Sequence, residues 1–193
     1  MGQRVLVTGA AERVAAVSAA FRDAGAEVTA VDDLATLATA VADIAPGSLD
    51  CYVQLPVHLA PRGTAVIERV RNFLEDGLLA RFAAASTILP KVSDDGRIVL
   101  VGGNTPGEAA APDDQRARLA LLDVLGHAIE ADRSSTTIRV RVLPHDEAAP
   151  HIAAVALGAE PSREALAETQ AREAEMSSEE WRIEVMGQAH WEF

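Results

Sequence analysis

The chain of 193 residues is long enough for one domain with a full core, and its 49% apolar content fits a folded globule whose few aromatics (4%) leave Ala, Val, Leu and Ile to build that core. A net charge of −12 with a single lysine, Lys91, argues against nucleic acid and anionic membranes as partners. One cysteine, Cys51, excludes an intrachain disulfide, and no charged leader or apolar run near the roughly 20 residues of a membrane span is present, so a soluble cytoplasmic protein is expected.

The opening stretch from Arg4 to Asp33 reads as strand, tight turn, amphipathic helix and second strand. Val5, Leu6 and Val7 suit a strand buried on both faces, and Gly9 lets the chain turn without a Cβ clash. Val14, Val17, Ala20 and Phe21 recur at helical spacing, Gly25 stands where a helix stops, and Val28 to Val31 resumes strand character before Asp32 and Asp33. This is the opening of a nucleotide-binding α/β sheet. In such folds the first turn offers backbone N–H groups to a pyrophosphate, and a carboxylate after the second strand binds the adenosine ribose.

Further elements follow in order. Leu34 to Ile44 has helical spacing and ends at Pro46-Gly47; Cys51 to Leu55 is a third strand, stopped by Pro56. A long helix is expected from about Thr64 to Leu89, interrupted but not broken by Gly77, with Asp94-Asp95-Gly96 as a turn and Arg97 to Val101 as the fourth strand. Thr105 to Asp114 reads as a loop, Gln115 to Ala131 as a helix, and Thr137 to Leu143 as the fifth strand. Pro150 to Leu157 is a short apolar helix. Residues 162–180 form a polar helix and linker, and Trp181 to Met186 a final strand. The whole, residues 1–193, reads as one doubly wound α/β domain with about six parallel strands and helices on both faces.

Thr8-Gly9-Ala10-Ala11-Glu12-Arg13-Val14-Ala15 resembles the TGxxxGxG turn of the short-chain dehydrogenase/reductase family, with Arg13 and Ala15 at the second and third glycine positions. LARFAAASTILPKVSDDGRIVLVGG is similar to that family's interface helix running into its fifth strand. SSTTIRVRVLP resembles the following strand, often IRVNAVAPG; PHIAAVALGA resembles the late helix DIAxAVxFLAS; RIEVMGQ resembles the last strand, where the family often has VDGG. The resemblance implies a Rossmann-type fold over nearly the whole chain, with the strands lying across the sheet in the order second, first, third, fourth, fifth and sixth. Any dinucleotide site then falls on Thr8, Gly9, Ala10 and Arg13 of the turn and on Asp32 and Asp33. It would bind NAD weakly or not at all, and NAD before NADP, because the two carboxylates repel a 2′-phosphate.

The departures from the family fall on its chemistry. The tyrosine and the lysine four residues on, which act together as general acid/base, are replaced by Arg116 and Ala120, or by Asp114 and Arg118 in a shifted register. The only tyrosine is Tyr52, within the third strand. Gly103 stands for the carbonyl-polarising serine, Gly77 for the helix asparagine, and Gln54-Leu55-Pro56-Val57 for NNAG. The stretch from Asp33 to Asp50 holds one helix but hardly a further strand and second helix, and no substrate lid fits between Pro144 and Pro150.

No catalytic residue and no metal ligand is therefore assigned. His58, His127, His145, His151 and His190 form no ligand pair on one helix face; His145, Asp146, Glu147 and His151 gather after the fifth strand as a polar loop or, alternatively, as an acid/base or metal cluster. The expectation is a catalytically degenerate, non-catalytic subunit, scaffold or binding protein, with an oxidoreductase using unconventional residues as the alternative. The apolar helices 64–89 and 115–131 imply a dimer, with itself or with an active relative, unless the helix from Ser162 folds over them.

Overall fold

The computed structural model describes residues 2–56, 79–102, 112–145 and 147–159, the backbone alone over 112–118, and scattered positions between 65 and 77. The chain divides into two compact units, Met1–Gly158 and Ala159–Phe193. The expected polar helix from Ser162 and the strand Trp181 to Met186 lie outside the described residues.

Among its described residues, the first unit holds five parallel strands in the order β2-β1-β3-β4-β5, as the resemblance implied for these strands. They are β1 (Arg4–Thr8), β2 (Glu27–Val31), β3 (Leu49–Gln54), β4 (Val92–Val101) and β5 (Arg139–Leu143). The helices are α1 (Ala11–Asp23), α2 (Leu37–Ala40), α3 (Ala80–Ile88), α4 (Pro112–Asp132) and α5 (Ala149–Leu157). Among the described residues no helix is long and apolar enough to cross a membrane.

Strand residues alternate between two apolar layers, because successive side chains leave opposite faces of a sheet. Leu6, Tyr52, Ile98 and Leu100 pack with Leu37 and Val41, with Ala85 and Ile88 of α3, and with Leu122, Leu125 and Ile129 of α4. Val5, Val7, Cys51, Val53, Val99 and Val101 pack with Val14, Val17 and Phe21 of α1 and with Ile152 and Val155 of α5. Each fully buried side chain of this kind contributes about 1.5–3 kcal/mol over its exposed state, so the two layers hold the strand ends in fixed register. α1 stops where the sequence places its end: Gly25 has φ 82°, and Ala26 N–H closes on Phe21 O at 3.0 Å.

Two local expectations change. The crossover after Asp33 is a 3-10 turn, Leu34–Thr36, followed by the single-turn α2; Leu37, Val41 and Ile44 keep their buried spacing. Asp94-Asp95-Gly96 is not a turn between elements but part of β4. Leu49 pairs with Val92 and Cys51 with Arg97, so β4 advances five residues where β3 advances two. The surplus forms a bulge, which Thr137 N–H binds at Asp94 O (2.7 Å) and Arg133 holds at Asp94 Oδ1 (3.1 Å).

Candidate functional site at the carboxyl ends of the strands

Open parallel sheets bind ligands outside the carboxyl ends of their strands, where β1 meets α1 and the strand order reverses. Gly9 is required there by its φ of 141° and by the close approach of β3's exit: a Cβ on it would lie 2.6 Å from Leu55 Cβ and 2.9 Å from Leu55 O. Gly9 N–H bonds to Val31 O at 3.3 Å and Ala10 N–H to Pro56 O at 2.9 Å, while Thr8 O accepts from Leu55 N–H at 2.7 Å. Two N–H groups of the turn thus already have protein acceptors. Ala10 caps α1 by its backbone position, without a side-chain hydrogen bond.

Arg13 occupies the second glycine position of the resembled turn, and its side chain runs sideways to the β5–α5 loop. Nη1 donates to His145 O at 2.6 Å and Nη2 to Glu147 O at 3.3 Å. That loop is braced in turn by His151 Nδ1, 2.6 Å from Glu147 Oε1, an oxygen that also accepts from Ala148 N–H at 3.3 Å. The structure therefore joins His151 to Glu147 and brings the His145 backbone to Arg13. Asp146 lies outside the described residues, which contain no group of three potential metal ligands.

The two acids after β2 diverge in role. Asp33 Oδ1 accepts from Ala35 N–H at 2.9 Å and caps the 3-10 turn. Asp32 is exposed and has no hydrogen-bond partner among the described residues. Of the predicted dinucleotide-site residues, Thr8, Gly9 and Ala10 are buried in the turn, Arg13 and Asp33 bond elsewhere within the protein, and Asp32 is exposed.

What sequence reasoning missed is a network beneath this turn that joins Thr8 of β1, Tyr52 and Gln54 of β3, and Arg81 at the start of α3. Thr8 Oγ1 and Tyr52 OH are 3.1 Å apart, and Gln54 Nε2 donates to Tyr52 OH at 3.1 Å and to Arg81 O at 2.9 Å. Arg81 answers with Nε to Gln54 Oε1 at 3.0 Å, and its Nη2 reaches Gln54 O at 3.2 Å and Val101 O at 2.8 Å. All four side chains are buried, Arg81 at 6% exposure. The available signal was Tyr52 and Gln54 on one face of an apolar strand, since buried polar groups demand partners.

This burial sets the chemistry. Desolvation pushes the Tyr52 hydroxyl above its usual range, against the opposing hydrogen bonds from Thr8 and Gln54 and the charge of Arg81. Burial likewise pushes the Cys51 thiol up to about 12, with Arg97 lowering and Asp50 raising it. Burial thus favours the protonated, uncharged form of both groups. Further along, Gly102 N–H bonds to Leu143 O at 2.8 Å, and a Cβ on Gly102 would lie 2.6 Å from Leu119 Cδ1. Leu119 of α4 thus sits directly on the end of β4. Ala120, one of the positions aligned with the missing catalytic pair, is exposed; Gly103 and the side chains of Asp114, Arg116 and Arg118 lie outside the described residues.

No family model and no curated protein matches the sequence. Solved structures do match the fold. A short-chain dehydrogenase/reductase from Serratia marcescens is 19% identical with a TM-score of 0.53, covering 81% of this chain and 91% of its own. A putative short-chain alcohol dehydrogenase from Burkholderia multivorans is 14% identical with a TM-score of 0.58, over the same 81% and 91%. BdcA, solved in complex with NADPH, is 15% identical with a TM-score of 0.53, covering 83% of this chain and 88% of its own.

Proposed function

We propose that this chain, which has the fold of short-chain dehydrogenase/reductases, is a catalytically degenerate version of it that serves as a non-catalytic subunit, scaffold or binding protein. The observation that carries this reading is the fate of its one tyrosine: Tyr52 is buried in β3 between Thr8 and Gln54, with burial holding its proton. A family reductase needs an accessible hydroxyl that gives up a proton at the cleft, and loss of a general acid/base alone costs about 10²- to 10⁴-fold. Purified protein incubated with NADH or NADPH and a panel of aldehydes and ketones tests the reading. Turnover at ordinary enzyme rates would overturn it.

A second reading is favoured by one specific residue. Asp32 stands exposed at the end of β2 with no partner among the described residues, so a ribose has an acceptor there. On that reading the chain binds NAD and transfers hydride with unconventional residues; the structural neighbour solved with NADPH supports cofactor binding in such a fold. Fluorescence titration with both reduced cofactors separates the two, and weak binding that prefers NADH is the expected outcome.

Assembly belongs to the first reading. Leu79 and Val124, each 58% exposed, are large apolar side chains on the segments 64–89 and 115–131, and they support pairing there with a second copy or an active relative. Light scattering of the protein alone tests self-pairing, with Val124→Glu expected to disperse it. Co-purification from the source cell tests the mixed pair. A cytoplasmic setting is part of the same reading, supported by the single, buried cysteine.

A further inference from the structure

Among the described residues, none pairs with the outer edge of β2. In a parallel ladder alternate residues of a strand bond to the same neighbour. Glu27 N–H bonds to Gln3 O at 2.8 Å and Val31 O accepts from Gly9 N–H at 3.3 Å, so Glu27, Thr29 and Val31 face β1. The N–H and C=O groups of Val28 and Ala30 therefore point away from the sheet, and they have no partner among the described residues. The side chains leave room on both faces: Thr29 and Ala30 are exposed and Val28 is half-buried. Nothing in the connection to β3 supplies a strand, for it passes through the 3-10 turn and α2 alone.

Sheet edges of this kind are normally blunted by lysine, proline, a bulge or a covering element. β2 reads EVTAV, with neither lysine nor proline, and its register with β1 is regular throughout. Charge then selects among occupants. Glu27 at one end and Asp32 just past the other are exposed, and neither carboxylate has a partner among the described residues. A second copy laid antiparallel about Thr29 would set Glu27 of each chain opposite Val31 of the other and next to its Asp32, gathering carboxylates at both ends in a chain whose net charge is −12.

We propose that β2 is a docking edge that takes an extended, lysine- or arginine-bearing segment of another protein as a sixth strand of this sheet. The outward groups of Val28 and Ala30 supply the backbone hydrogen bonds, and Glu27 and Asp32 pair with the basic side chains at the two ends. The inference goes beyond the catalytic question: the ladder and Glu27 are independent of a dinucleotide, and only the Asp32 contact competes with a ribose.

Fluorescence anisotropy of the full chain, without nucleotide, tests it with a short labelled peptide of alternating valine and lysine. N-methylation of alternate peptide amides removes the ladder but keeps the charge, and glutamate in place of lysine removes the charge but keeps the ladder. Each change should weaken binding about tenfold or more. Ala30→Pro removes only an outward N–H, which edge strands tolerate, and should weaken the peptide by a similar factor with the melting temperature kept. Should that variant fail to fold, Glu27→Lys replaces it, and this one should weaken the lysine peptide while favouring the glutamate one. Absence of binding, or equal affinity for methylated and unmethylated peptide, would defeat the proposal. A dimer that Ala30→Pro disperses would make a second copy the occupant and defeat it equally.

Discussion

Arg81 and Gln54 hold each other reciprocally: Arg81 Nε donates to Gln54 Oε1 at 3.0 Å, and Gln54 Nε2 returns a bond to Arg81 O at 2.9 Å. With Nη2 on the terminal carbonyls of β3 and β4, the guanidinium ties the ends of both central strands to the start of α3. The polar groups at these strand ends are thus satisfied by one another and by backbone carbonyls.

Arg81→Met keeps the apolar stem but strips the strand-end carbonyls of their donor and orphans Gln54. The expected loss is roughly 2–4 kcal/mol of unfolding free energy by urea titration. Arg81→Lys should recover only part of it, because an ammonium group lacks the planar fork that spans Gln54 and Val101. A variant as stable as the parent would show that the network contributes nothing net.

Arg13→Gly restores the glycine of the family turn and removes both bonds to the β5–α5 loop. Stability should fall by about 1–3 kcal/mol from the lost charged donor and the added backbone entropy. Affinity for NADH, measured by cofactor fluorescence, should rise, because bare backbone replaces a large cation beside α1. Unchanged affinity would mean that Arg13 is not what weakens the turn as a phosphate site.

Gly9→Ala tests the packing of the turn against the exit of β3. A methyl group there meets Leu55 at 2.6 Å with the backbone held at φ 141°, and Leu55 is itself fully buried. A loss of about 2–3 kcal/mol is expected from strain and overpacking together. Truncating Leu55 in the same chain should relieve little of it, since the Leu55 carbonyl at 2.9 Å remains.

Alkaline pH should destabilise the fold through Cys51. Its folded value lies near 12, against 9.0 for the free thiol, so the unfolded chain releases its proton first. Below pH 9 the contribution is constant; from 9 toward 12 the unfolded state binds fewer protons and stability falls. Tyr52, raised by the same burial, adds to the decline at the upper end. Cys51→Ala should flatten the pH dependence of the urea midpoint in this window, and the native thiol should resist a disulfide reagent until the protein unfolds.

Much of the sheet is legible in local sequence because burial on both faces writes itself as apolar runs: Val5 to Val7 and Ile98 to Val101 lie in strands, and Gly25 ends α1 where a left-handed residue is needed. Asp94-Asp95-Gly96 misleads for a physical reason. Its residues carry turn chemistry, yet a bulge uses the same local geometry inside a strand. The crossover helix is shortened because the Asp33 carboxylate caps Ala35 N–H and sets a 3-10 turn first. The network of Thr8, Tyr52, Gln54 and Arg81 is tertiary: Arg81 and Gln54 are 27 positions apart, and no periodicity joins them. For Arg13, the sequence shows a bulky cation where glycine is usual, but not that a loop 132 positions onward would receive it.

The β4 bulge has a consequence for how this sheet tolerates change in chain length. The surplus residues lie toward the amino end of β4, where Asp94 is fastened to Arg133 and Thr137, while from Arg97 to Leu100 the strand runs in step with β3. Slack gained or lost at one rim is taken up before it reaches the other. Residues inserted beside Asp95 should therefore be absorbed at the amino-terminal rim and leave the spacing of Gln54, Arg81 and Val101 unchanged.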